Sequence, residues 1–459
     1  MDTLATLRSR VEGTVRGPDA VDYDEARAIW NAMIDRRPAA LVRAAGVADI
    51  ASTIGAARDL GLPLAVRAGG HNVAGNGTVD GGIVLDLGGL TDVVVDPDAR
   101  VVRVAAGATL GDLDRATEPH ALAVPVGVIS GTGVAGLTLG GGVGWLTHAH
   151  GLSIDNLLAV EVVTAAGKTV QASETENPDL FWGVRGGGGN FGVVSSFTFR
   201  AHPLGPDVYA GTFVSHRDGW RDALRGIDAW SRDLPDPMTV IVTFMTPPPE
   251  FELGADPVML TGFVWASDDR TAGDAVVDGL RQAIRPDAEV IEPTTWTAWQ
   301  SAADPLFRKG LRAYWKNMSF DRLDDETIEI ICRRGREQTW QGTGFDIHVM
   351  EGAFGAVAED ATPFPGRGSR YWLNVYGYWP DAADDVAHTA FVKGLALDML
   401  PHSSGGQYVN FLGDEGSAND ARASALAVYG PAKLERLTAL KRRYDPDNIF
   451  RLNHNIPPS

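Results

Sequence analysis

Glycine constrains this chain more than any other residue type. It is concentrated in four segments: VRAGGHNVAGNG (66–77), DLGGL (86–90), GVISGTGVAGLTLGGGVGW (127–145) and VRGGGGNFG (184–192). At this density the backbone approaches other surfaces closely or turns through φ > 0. Main-chain N–H groups then do much of the contacting, and runs of them form nests for anions. The first segment follows the apolar run Leu64–Val66 and places one imidazole, His71, at its centre. From the residues alone, His71 reads as a loop histidine bonded to backbone.

Within the third segment Gly131, Gly133 and Gly136 match G-x-G-x-x-G, and Asp155 lies at the spacing of a ribose-binding acid. A dinucleotide site of that kind needs a helix to open here. Gly140, Gly141 and Gly142 follow at once, and each costs a helix about 1 kcal/mol relative to alanine. We therefore expect no helix at this point and read the match as chance. Several separated glycine loops suit a ligand with both a pyrophosphate and a flat ring system, and FAD has both.

The 459 residues exceed what one core usually serves, so two domains are expected. A strand (40–43), a helix (47–60) closed by Gly61, a strand (64–67) and a hairpin turning at Pro97–Asp98 open the chain. After Leu204 tryptophans and longer helical stretches become frequent. Strands there alternate with period two. Trp372, Asn374, Tyr376 and Tyr378 oppose Tyr371, Leu373 and Val375; Asp346, His348 and Met350 oppose Phe345, Ile347 and Val349; Tyr314, Lys316 and Met318 share a face. This describes an antiparallel sheet with helices over one face. The mixed aromatic and polar face is read as turned to a ligand, and Tyr314, Lys316, Trp372, Asn374 and Tyr376 are the expected substrate contacts.

A net charge of −19 argues against nucleic acid or an anionic membrane as partner. Cys332 is the single cysteine and shares an apolar helical face, so it is expected in a core, with no disulfide and no thiolate metal site. His148 and His150 have no evident third ligand, and no metal is assigned. MDTLATLRSRVEG lacks the apolar stretch of a signal peptide and no apolar run spans a bilayer, so a cytoplasmic location is expected.

RAGGHN, GTGVAGLTLGGGVGWLTHAHGLSIDNL, NPDLFWGVRGGGGNFGVVSSFTF and YDPDNIFRLNHNI together resemble the FAD-linked oxidases of the vanillyl-alcohol-oxidase type, and within them the berberine-bridge-enzyme-like branch. The resemblance runs over nearly the whole chain. It implies an α+β fold: an FAD-binding domain of two subdomains (1–204, split near 62), an inserted substrate domain on an antiparallel sheet covered by helices (205–430), and a return to the first domain (431–459). It implies FAD bound covalently to His71. Ile129 stands where some members carry a second, cysteinyl link, so one bond is expected; Val143 stands where others carry a tyrosine.

The cofactor contacts implied are Arg67, Gly69, Gly70, His71, Asn72, Gly75, Gly127, Ile129, Gly131, Thr132, Gly133, Gly136, Gly140, Gly141, Gly142, Gly144, Gly192, Val193, Tyr408 and Asn410. Tyr408, in the Y-x-N motif Tyr408-Val409-Asn410, is the implied base, unless it is a core tyrosine with a satisfied hydroxyl. The family's lysine that supports a phenolate aligns with Trp372, so Lys316 or His348 would have to serve, and His348 is a second candidate base. The implied activity is a flavin-dependent oxidase acting on a hydroxylated sugar or secondary metabolite, with O2 as acceptor. The alternatives are an oxidative cyclase or dehydrogenase, and a flavin-binding protein without turnover.

Overall fold

In the computed structural model, which describes residues 2–338, 342–413 and 421–459, three sheets organise the chain. The first has the strand order Thr14–Arg16, Ala40–Arg43, Ile83–Asp86, Leu64–Arg67, antiparallel in its first pair and parallel in the others. Its crossover helix, Val47–Leu60, starts where the Asp49 carboxylate accepts N–H groups from Glu12, Gly13 and Ala45, and stops at Gly61 with φ 66°. The second is a five-stranded antiparallel sheet in the order Val93–Asp96, Val101–Ala105, Val193–Arg200, Leu157–Val163, Thr169–Ser173. One apolar core, including Val42, Ile54, Leu85, Val102, Val162 and Phe197, joins both sheets.

The strand Leu64–Arg67 pairs with Ile83–Asp86, so both belong to the first sheet and the two subdomains part between Asp86 and Val93, not near 62. The spacing of elements around Leu62 resembles a boundary because the crossover helix ends there. A helix does form at Val134–Gly140, contrary to the glycine argument. It is two turns long and ends at Gly141, short enough that the glycines limit its length and not its existence.

The third sheet holds nine strands. Its antiparallel centre runs Asp207–Ser215, Val258–Trp265, Met238–Met245, Thr343–Val349, Tyr371–Trp379, Arg312–Phe320. Helices Trp220–Trp230, Arg270–Ile284, Asp325–Glu337 and Asp385–Met399 cover one face, burying Leu224, Leu280, Ile331, Cys332 and Leu395 against Phe244, Phe345, Leu373 and Val375. The opposite face is turned to the glycine loops. Val409, Leu412 and Ala425 already lie in the core of the first two sheets, so the return begins some twenty residues before 431. Past a break at Gly430 (φ 70°) and Pro431, the last helical stretch adds Leu434, Leu437 and Leu440 to that core.

Candidate active site

Between the glycine loops and the open sheet face lies a cavity of about 330 Å³. The glycine loops meet backbone to backbone. A Cβ on Gly69 would stand 2.4 Å from the Gly133 nitrogen, and one on Gly133 would stand 2.5 Å from the Gly69 nitrogen. No side chain fits at either position. Gly140 is closed off in the same way by the Asn410 amide, 2.4 Å from its missing Cβ.

His71 lines the cavity, its ring stacked on Trp30 at 5.3 Å between centroids. Burial lowers its pKa to about 4, against the charge of Asp304, so the imidazole is neutral near pH 7. Asp304 accepts a hydrogen bond from the Ser130 backbone N–H (2.9 Å) and another from the Ser130 hydroxyl, and so pins the loop that carries Ile129.

The terminal segment closes another side. Asp445 accepts N–H groups from Ile449 and Phe450 and pairs at 2.7 Å with the fully buried Lys441, whose ammonium also donates to the Asn190 and Phe450 carbonyls. The bend this fixes delivers Phe450, Leu452, Asn453 and His454 to the cavity wall. YDPDNIF thus encodes a loop tied to its own aspartate.

Tyr408 lines the cavity beside Asn410. Its hydroxyl oxygen accepts from Asn410 Nδ2 (2.8 Å) and the Gly142 N–H (3.1 Å), while Asn317 bonds its backbone N–H and carbonyl. The donors to that oxygen are thus the motif's own asparagine and a backbone N–H, and neither carries a charge. Burial outweighs these donors and pushes the phenol up to about 12, so Tyr408 is protonated near neutrality.

Strand register assigns the sheet residues. Trp315 pairs with Tyr376, Asn317 with Asn374, Asp346 with Asn374 and His348 with Trp372, so these side chains share the open face. Tyr314 and Lys316 pair with Gly377 and Val375 and project from the helix-covered face, where Tyr314 packs in the core and under Lys393. Both fall away from the site. Alternation identified two faces of that strand, but apolar residues occupy both, so it could not choose between them. Asn374 and Tyr376 line the cavity; Trp372 stands behind Tyr408, edge-on at 5.4 Å, and His348 behind Trp372 at 5.0 Å. Burial lowers His348 to about 3, and it does not line the cavity.

Of the cofactor contacts expected, Arg67, Gly69, Gly70, Asn72, Gly127, Ile129, Thr132, Gly133, Gly136, Gly140, Gly192, Val193 and Asn410 line the cavity with His71. Gly75, Gly131, Gly141, Gly142 and Gly144 do not. Gly75 packs on Ile34, Gly131 stands behind the His71 ring, Gly141 lies under Phe364 and Tyr408, and Gly144 sits against the Val126 carbonyl. Among the described residues no three His, Cys, Asp or Glu side chains gather to hold a metal.

Asp346 is the residue that sequence reasoning passed over. It lines the cavity and accepts the Tyr376 hydroxyl at 2.9 Å, and Thr243 and Asn374 stand opposite it in register on the two neighbouring strands. Burial nonetheless raises its carboxyl to about 6. Trp30, Phe307, Trp315 and Phe411 were also missed; with Tyr376 they form an aromatic wall of the cavity. The alternation in FDIHVMEG puts Asp346 on the mixed face read as turned to a ligand, but nothing local singles it out there from His348 as the residue that lines the cavity.

The cavity fits FAD on its own evidence. Arg67 Nη1, Asn453 Oδ1 and His454 Nε2, all on cavity-lining residues, have no hydrogen-bond partner among the described residues, and the facing glycines leave only backbone to meet a ligand. Comparison with known proteins agrees. Residues 38–173 match the model of an FAD binding domain and residues 408–457 the model described as berberine and berberine like. The (R)-6-hydroxynicotine oxidase of Paenarthrobacter nicotinovorans is 30% identical over 473 residues, covering 99% of this chain and 98% of the relative. The crystal structure of 6-hydroxy-D-nicotine oxidase from Arthrobacter nicotinovorans superposes with a TM-score of 0.86 over 98% of both chains at 27% identity. Glucooligosaccharide oxidase from Acremonium strictum, which carries a 6-S-cysteinyl, 8α-N1-histidyl FAD, has the same fold (TM-score 0.87, 23% identity, all of both chains). The chain belongs to the FAD-linked oxidases of the vanillyl-alcohol-oxidase type, in the berberine-bridge-enzyme-like branch. It is an FAD-dependent oxidoreductase.

Proposed function

We propose that this enzyme is an oxidase that takes a hydride from a hydroxyl-bearing carbon of a small molecule, holds FAD through one covalent bond to His71, and passes the electrons to O2 to give H2O2. FAD, when bound, supplies the hydride acceptor and the reaction with oxygen. Two features support the single attachment. His71 is neutral, so a ring nitrogen has a free lone pair for bond formation, and Trp30 fixes its plane. Ile129, on the loop pinned by Asp304, has no nucleophilic atom.

Asp346 supports the chemistry. A carboxyl near pKa 6 is ionised at neutral pH yet still basic enough to take a hydroxyl proton, the range in which general bases work best. The Tyr376 hydroxyl orients it. The observation that carries the reading is this meeting of His71 and Asp346 in one cavity. The oxidases among the relatives favour O2 as acceptor.

Acid precipitation tests the attachment. The native chain should give a yellow pellet in trichloroacetic acid and His71→Ala a colourless one. A yellow His71→Ala pellet refutes the assignment. Peroxide release from a panel of alcohols and sugars, read with a coupled peroxidase, tests the oxidase reading, and flavin reduction without peroxide would make the enzyme a dehydrogenase.

A further inference from the structure

Gly127, Val128, Ile129 and Thr132 line the cavity, and a Cβ on Gly131 would stand 3.6 Å from His71 Nε2, so the loop 127–133 borders both the cofactor space and His71. It is held from two sides. The helix Leu110–Thr117 donates the Leu110 and Gly111 N–H groups to the Thr132 and Ser130 carbonyls. From the other side Asp304 accepts the Ser130 N–H and hydroxyl, and Gln300, on the helix Trp296–Ser301, donates its amide N–H to the Gly127 carbonyl at 3.2 Å.

The Gln300 contact depends on a buried carboxyl. Trp296 Nε1 donates to Asp114 Oδ1 at 3.1 Å and Gln300 Nε2 to Asp114 Oδ2 at 3.4 Å, and all three side chains are almost wholly buried. Both groups that face the Gln300 nitrogen, the carboxylate and the Gly127 carbonyl, are acceptors, so the amide has one orientation. Its Oε1 has no partner among the described residues. Protonation of Asp114 reverses this logic. The new O–H is a donor, and both partners of the carboxyl donate. The indole cannot accept. The amide can, by turning its Oε1 toward Asp114, and the turn sets oxygen against oxygen at Gly127.

We propose that Asp114 is a positioning residue for the flavin site: ionised, it holds the Gln300 amide on the Gly127 carbonyl, and protonated, it turns that amide and frees the loop lining the cavity. Burial raises the Asp114 carboxyl to about 7, against the Trp296 and Gln300 bonds, so the loop is held above that pH and released below it. Glu118, in the next turn, raises it further and Arg115, on its own helix, lowers it. Of the elements packed on that helix, Trp296–Ser301 and Leu122–Ala123 bring no charge, and Val93–Asp96 brings Asp96, which is exposed. The inference requires bound FAD, and neither the covalent bond nor oxidase activity.

Visible circular dichroism of the bound flavin, without substrate, reads the loop. It is followed from about pH 5 to about pH 9. The flavin-loaded Asp346→Asn enzyme is used, because it lacks the carboxyl that titrates near 6 in the same cavity. One transition near pH 7 is expected. Adding Asp114→Asn should abolish it and leave the acid-form spectrum at every pH, since the asparagine amide donates to Gln300 as the protonated acid does. Adding Gln300→Met instead leaves Asp114 free to titrate but cuts the link, and should abolish the transition too. Retained flavin shows that a variant has folded, and where one has not, the other decides. Absence of the transition in Asp346→Asn, or its survival in Asp114→Asn, overturns the proposal. Survival in Gln300→Met means that Asp114 acts on the flavin through its charge alone, and overturns the role of Gln300.

Discussion

Asp346 can accept a proton only when ionised, and burial has moved its carboxyl up to about 6. The reductive half-reaction should therefore speed up as pH rises through about 6 and level off above it, the sign expected of a base whose protonated form is inactive. Asp346→Asn should keep its yellow colour, lose that inflection, and reduce its flavin about 10²–10⁴-fold more slowly in anaerobic stopped flow. If Tyr408→Phe had the larger effect, and its pH profile lost a high-pH limb, the phenol would be the base despite its raised pKa. His348 should matter little to the profile. It stands behind Trp372, neutral, and reaches the cavity only through the packing of that ring.

At the scale of elements, the glycine loops act by what they lack. Gly133→Ala places a methyl group against the Gly69 backbone, which has no rotamer with which to yield. The loops must part, and destabilisation of about 1–3 kcal/mol by urea midpoint is expected, with loss of bound flavin. A Gly55→Ala control, in the helix Val47–Leu60 and away from the cavity, has open space and should do neither. These loops were legible in the sequence because glycine clusters are rare and have a steric meaning. The faces of the strand Tyr371–Trp379 were legible too, since its alternation is clean. Arg312–Phe320 was not, because Trp315 and Asn317 on one side look no more like a site than Tyr314 and Lys316 on the other. Only the neighbouring strand's register decides. Asp346 escaped for a related reason: its meaning comes from Thr243, Tyr376 and Asn374, on two other strands. The Tyr408–Asn410 hydrogen bond, by contrast, spans two residues, and the motif carried it complete.

Across the whole molecule, the sheet with the open face is held to the flavin-binding part by buried polar ties. Asn31 bonds the Ala313 backbone in both directions, Trp30 donates to the Phe307 carbonyl, and Arg367 grips Asp155 through two bonds of 2.7 Å with its side chain 1% exposed. Removing one member of such a pair leaves a buried charge. Arg367→Met alone should cost about 3–5 kcal/mol in chemical unfolding, and adding Asp155→Asn should recover much of it. Additive losses in the double variant would mean that the two residues act separately.

The bend fixed by Asp445 has a consequence in time. The ribosome makes the loops around His71, Gly133 and Gly188 early, and the wall of Asn453 and His454 hundreds of residues later. A nascent chain displays its glycine loops to the cell with one side missing, and nothing on that side holds a dinucleotide in place. Capture of the flavin then waits until residues 445–454 have been made, and how long a cell waits for active enzyme is set by closure of that segment as well as by its supply of vitamin.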